Sequence, residues 1–235
     1  MSDTHYKAAA LVIFCRRPAI GIGKQRLARQ IGAASAAEIA TLLLATTLED
    51  AASWPGPVVL APAEATDTDW AATLLHRSVR VIPQPDGNLG ERLQSVDRTV
   101  RAGQPGAIIY IGSDAPILNE SDYSAARAAL LHHDVVLVPA LDGGVTLLGS
   151  RCPWPELTDL PWSSELLYAA LRERCMGRGL SVTSLSPGYD VDLAPDLQRL
   201  CTDLRTDRRP ARQNLYQRLC SLGYSAHTDP AAQRS

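Results

Sequence analysis

The feature that most constrains this chain is a series of short, unbroken apolar runs separated by segments of helical pattern. Residues 8–15, 57–61 (PVVLA), 79–82 (VRVI), 106–112 (GAIIYIG) and 134–139 (DVVLVP) are each of strand length. The first run is apolar on both faces, so its strand must be covered on both sides. Alternation with helical segments signals βαβ units and a mainly parallel sheet. The helices are predicted from Ser35 to about residue 51, over 68–76, over roughly 89–102, from Asn119 and Ser121 to near His132 and His133, and from Ser163 to about Arg174; a last one has Pro195 in its first turn. Residues 144–149 (GVTLLG) return antiparallel to 134–139 through Ala140-Leu141-Asp142-Gly143, and a short strand is expected over 181–185. The expected fold class is therefore α/β, with helices on both sheet faces and a small antiparallel element. No linker or internal repeat interrupts the pattern, so one domain is expected over 1–222, followed by a polar tail over 223–235.

Composition narrows the function classes. The net charge is −2 and no basic run occurs, which argues against nucleic acid and anionic membranes as partners. One Phe and 5% aromatics do not make a base-stacking platform. The longest apolar run, Ala8 to Cys15, is too short to span a bilayer and lacks signal-peptide flanks, so a cytoplasmic location is expected. The five cysteines form no C-x-x-C pair and have no His at ligand spacing, which argues against a disulfide framework or zinc site.

Four segments carry candidate chemistry. After the first strand, Gly21 and Gly23 give backbone access to a phosphate, with Lys24 and Arg26 adding charge; an Arg-rich surface loop is the alternative. The segment departs from both the Walker A and dinucleotide-binding patterns. After the third strand, Gln84, Gly87 and Gly90 can present an amide and bare backbone to a base edge, or simply turn the chain into a helix. Ser113-Asp114 ends the apolar run 106–112, where one carboxylate in a turn fixed by Pro116 suits Mg²⁺ or Mn²⁺. Asp114 could equally cap a turn. The segment Tyr189-Asp190-Val191-Asp192 can supply a second metal ligand. If it is extended, alternation points Asp190 away from Asp192, and Asp192 could instead cap the helix containing Pro195.

Six segments in order, 18–27, 87–92, 111–116, 142–149, 162–164 and 190–197, resemble the motifs of the glycosyltransferase A-like (DUF2064) group. That group belongs to the GT-A type of nucleotide-diphospho-sugar transferases. The resemblance implies a single-domain, Rossmann-like GT-A sandwich. It implies that Lys24 and Arg26 meet phosphates, that Gly21, Gly23 and Ser113 line the nucleotide site, and that Gln84, Gly87 and Gly90 lie by the base. Asp114 and Asp192 would share the metal, and Asp142, Gly143, Trp162 and Ser163 would border the acceptor. Gln25, Ile20, Asn88, Val145, Ser164 and Leu193 depart from the group's pattern.

The implied activity is metal-dependent sugar transfer from a nucleotide sugar to a small-molecule acceptor, EC 2.4 rather than 2.7.7. The N-terminal Gly-x-Lys-x-Arg-Leu-Ala and the Asp-Val-Asp segment also resemble phospholactate guanylyltransferases, which would make an NTP the donor and pyrophosphate the product. The departures leave a third reading, a nucleotide-binding protein without turnover. The loop 152–162 and the chain beyond residue 205 leave room for a homodimer contact.

Overall fold

The computed structural model describes residues 9–103 and 106–225. Most of the expected tail, from residue 226, lies outside the described residues. Seven strands form one sheet: β1 (Ala10–Cys15), β2 (Val58–Pro62), β3 (Arg80–Val81), β4 (Ile108–Ile111), β5 (Val135–Pro139), β6 (Val145–Ser150) and β7 (Val182–Ser184). Their spatial order is β3-β2-β1-β4-β6-β5-β7. Every pairing is parallel except those of β6, which runs antiparallel to both β4 and β5. The expected hairpin thus supplies the sheet's antiparallel element.

Eight helices accompany the sheet among the described residues: α1 (Gln25–Ile31), α2 (Ala33–Ala52), α3 (Thr68–Ala72), α4 (Leu89–Gly103), α5 (Glu120–Ala129), α6 (Leu167–Gly177), α7 (Ala194–Leu204) and α8 (Pro210–Ser221). The two faces of β1 explain the layering. Leu11 and Ile13 join a core containing Leu44, Ala71 and Ala126 of α2, α3 and α5, while Ala10 and Val12 join one containing Leu93, Val96 and Leu171 of α4 and α6. Each fully buried Leu, Ile or Val among them contributes about 1.5–3 kcal/mol through area removed from water. A third core, built from α1, α2, α7 and α8, contains Leu27, Ile39, Leu43, Leu197, Leu215 and Leu219.

Local chemistry sets the helix starts. Asn88 and Glu91 cap α4 reciprocally, each side chain accepting from the other's backbone N–H at 3.1 and 2.7 Å. Asn119 and Asp122 form the same box on α5. Three expectations need correction. The helix expected over 68–76 stops at Ala72, because the chain must turn back to deliver β3 beside β2. The one expected from Ser163 starts at Leu167, since Ser163 is left-handed (φ 64°) and breaks the helical path. Helix α2 starts at Ala33, so Ser35 lies inside it rather than capping it. Helices α1 and α8 were not anticipated.

Candidate active site

The loop leaving β4 carries Asp114, and α5 does not begin until Glu120, so this carboxylate lies outside both elements at the carboxyl edge of the sheet. Gly112 leaves room for this side chain: a Cβ on it would lie 2.6 Å from Asp114 Oδ1 and displace the carboxylate. The segment 188–191 is stitched between this loop and the β5–β6 hairpin. Gly188 N–H donates to Pro139 O at 2.8 Å, Leu141 N–H to Gly188 O at 3.0 Å, and Val191 N–H to Asp114 O at 3.0 Å. These bonds bring both acids of the 190–192 segment against Asp114.

The geometry overturns the expectation that alternation turns Asp190 away. Asp114, Asp190 and Asp192 each offer a carboxylate oxygen within 4.8 Å of the others. Only Gly188 makes a strand-like bridge, to Ala140, so side chains beyond it need not alternate. Burial, then the carboxylates of Asp114, Asp192 and Asp142, push the Asp190 pKa up to about 6. The capping alternative for Asp192 also fails. The N-cap of α7 is Leu193, and Asp196 accepts from the backbone N–H groups of Asp192 and Leu193 at 2.9 and 2.7 Å. The Asp192 side chain is left for the site.

Lys24 reaches this cluster from the other end of the chain. Its Nζ donates to Asp114 Oδ2 and to Asp192 Oδ1, both at 2.9 Å, and its side chain is only 12% exposed. Burial disfavours the ammonium, but the two carboxylates outweigh it and hold the Lys24 pKa above the ordinary lysine value. The backbone is bent to allow this reach. Gly21 and Gly23 have φ of 80° and 66°, and Lys24 itself is left-handed at 45°. A non-glycine residue there is strained, typically by about 1–2 kcal/mol. Among the described non-glycine residues only Lys24 and Ser163 have positive φ.

Two hollows share Asp114 as a wall. One is cationic, about 240 Å³, and includes Arg16, Arg17, Gly23, Lys24, Ser113 and Asp192. The other, about 260 Å³, is largely apolar and includes Asp190 and Trp162. Arg26 is exposed on the first turn of α1 and is not in the cationic wall, whereas Arg16 and Arg17 are. Their position just past a strand end was the sequence signal for them. Gly21 is exposed on the same loop.

The remaining candidates lie around this centre. Gln84 Nε2 donates to Ala61 O at 2.7 Å, fixing the β2–β3 edge. Gly87 is left-handed (φ 115°) in the turn before α4. Gly90 is buried, and a Cβ there would lie 2.4 Å from Leu157 O and 2.5 Å from the Trp162 indole nitrogen, so close packing explains this glycine. Asp142 Oδ1 accepts from Gly144 N–H at 2.9 Å, shaping the hairpin turn. Gly143 packs under Glu165, whose carbonyl oxygen would be 2.0 Å from an added Cβ. That contact holds the Trp162–Ser163 loop beside the hairpin.

The family model described as "Uncharacterized protein conserved in bacteria (DUF2064)" matches residues 25–164. The chain belongs to this family. No curated protein matches it in sequence. Among solved structures, a DUF2064 chain of this shape is similar to a protein of Desulfovibrio desulfuricans G20 provisionally named a nucleotide-diphospho-sugar transferase. The two share 23% identity over 94% of this chain and 100% of that one, with a TM-score of 0.82. It is also similar to a cytidylyltransferase of Leptospira borgpetersenii serovar Hardjo-bovis, at 12% identity over 94% and 99% of the two chains and a TM-score of 0.55. The expected nucleotide-diphospho-sugar transferase fold is thus the fold found. No helix among the described residues is long and apolar enough to cross a membrane.

Proposed function

We propose that this protein is a metal-dependent transferase that takes a nucleotide-diphospho-sugar and passes the sugar to a small acceptor. The observation that carries the reading is the Lys24 ammonium 2.9 Å from both Asp114 and Asp192 at the floor of a cationic hollow. Such an arrangement meets two needs of diphosphate departure, cations for the phosphates and carboxylates for a divalent ion.

The acids fit Mg²⁺ or Mn²⁺. Asp114, Asp190 and Asp192 offer hard oxygen donors within 4.8 Å of one another, and burial together with the neighbouring carboxylates raises the Asp190 pKa. An ion held by them would supply charge neutralisation for a departing nucleoside diphosphate. The chain's own cations do the rest. Lys24, with Arg16 and Arg17 in the same wall, would bind the phosphates and share their developing charge, while Ser113 offers a hydroxyl. The likeness to a protein named a nucleotide-diphospho-sugar transferase supports this donor class.

A second reading, nucleotidyl transfer with release of pyrophosphate, is favoured by one feature. Three basic side chains in one wall suit a triphosphate as well as a diphosphate. Calorimetric titration of UDP-sugars, GDP-sugars and NTPs with Mn²⁺ separates the two. Binding of a nucleotide sugar with slow sugar hydrolysis is expected, whereas tight NTP binding with pyrophosphate release would select the second reading. No nucleotide binding at all would reject both.

A further inference from the structure

We infer that the acceptor carries an uncharged apolar group, alkyl or aryl, and that this group fills the hollow between β4, β6 and α4. The inference rests on the transferase reading above and names the substrate class of its second site. Asp114 divides two hollows of opposite chemistry. The cationic one is matched to phosphates; the other, about 260 Å³ in volume, shares Asp114 with it but has no basic side chain in its wall. Its wall is formed by Phe14, Leu93, Val145, Leu148 and Leu167, and Leu89, 45% exposed, is part of the same wall.

The polar side chains of this wall are already committed. The Tyr110 hydroxyl donates to the buried Asp97 carboxylate. Trp162 Nε1 donates to Leu157 O at 2.8 Å, and Thr146 Oγ1 donates to Val138 O at 3.4 Å. The acids that face the hollow are Asp114, already paired with Lys24, and Asp190. A polyhydroxylated ring placed there would bury hydroxyls with few partners, at a cost for each. An anionic group would find no basic side chain in this wall. An apolar group meets neither penalty, and it would leave the acceptor's nucleophile near the acids.

The test uses n-alkanols from ethanol to octanol, titrated into the nucleotide-free protein and followed by the ¹³C-methyl resonances of Val145 and Leu93. The dissociation constant should fall by about fourfold per methylene until the hollow is full. Val145→Tyr, which fills the space with a ring, should abolish the chain-length dependence. Val145→Thr, nearly the same size, should keep the fold and weaken every alkanol, which guards against misfolding of the tyrosine variant. Methyl shifts without chain-length dependence, or equal shifts from glycerol, would overturn the inference. A parallel UDP-sugar titration keeps the two ideas apart. Alkanol binding without nucleotide binding sinks the donor reading alone, and the reverse outcome sinks only the apolar acceptor.

Discussion

Asp190 shows how much a single side chain can depend on contacts distant in sequence. The Tyr-Asp-Val-Asp pattern reads as an alternating strand, yet hydrogen bonds from Gly188 to Pro139 and from Val191 to Asp114 set its path instead. Those partners lie far away in the chain, so no local periodicity could reveal them. The pKa of about 6 makes a pH prediction with a definite sign. An acid whose folded pKa is raised binds its proton more tightly in the folded state than in the unfolded chain. Its ionisation therefore costs stability as pH rises from about 4 to 6, and the cost stays constant above that. In chelator-treated protein, Asp190→Asn should raise the melting temperature above pH 6 and leave it nearly unchanged at pH 4. A pH-independent difference in thermal melts would contradict the crowding of the three acids. Lys24 makes a second prediction. Its ammonium lies between two acids that would hold a cation, so Lys24→Met should bind Mn²⁺ alone more tightly. The same variant should bind a metal–nucleotide at least about tenfold more weakly, because a charge-assisted bond to phosphate is lost. Calorimetry reads both, and a parallel change in the two affinities would argue against opposing roles.

At the scale of elements, α8 was hidden because its defining residue is charged. A segment reading Pro-Ala-Arg-Gln-Asn-Leu-Tyr-Gln-Arg-Leu offers only Leu215 and Leu219 to a core, too little to distinguish it from a polar tail. What fixes it is Arg212, fully buried, paired with Glu49 and Asp50 of α2 at 3.0 and 2.7 Å. Arg212 also donates to Pro116 O at 2.9 Å and Leu118 O at 2.8 Å, so the last helix pins the loop that carries Asp114. Arg212→Met should cost about 3–5 kcal/mol, since it removes a fully buried guanidinium from between Glu49 and Asp50. Arg212→Lys should recover part of that but cannot reproduce the fork of donors. Urea midpoints measure the loss, and a change below about 1 kcal/mol would show that the network relaxes. The central strands and α4 were legible for the opposite reason: their apolar residues carry the burial, in unbroken runs in the strands and at spacings of three to four in α4. The stretch 163–166 was misread because Ser163 turns the chain left-handed, which its residue type does not announce.

At the scale of the whole molecule, the candidate site has no local origin. Lys24 lies 90 residues from Asp114 and 168 from Asp192, yet its ammonium touches both. The sheet order makes this possible. Strand β1 sits in the middle beside β4, so the loops after both strands open on the same edge, and β7, parallel to β5, ends on that edge too and leads into the 188–192 segment. The motif order in the sequence pointed to Lys24, Asp114 and Asp192, which converge, but not to Asp190, Arg16 or Arg17, nor to the two hollows, because those arise from walls shared among separate elements. Binding should therefore appear and disappear with the global fold. In urea, loss of a fluorescent nucleotide analogue bound with Mn²⁺ should coincide with loss of helical circular dichroism. Saturating ligand at a hundred times its dissociation constant should raise the unfolding free energy by about 2.7 kcal/mol without changing the slope. Release of the analogue well before the helical signal falls would mean that one wall opens on its own. The strained Lys24 loop would then be the first place to look, since it is anchored to the acids by a single flexible side chain.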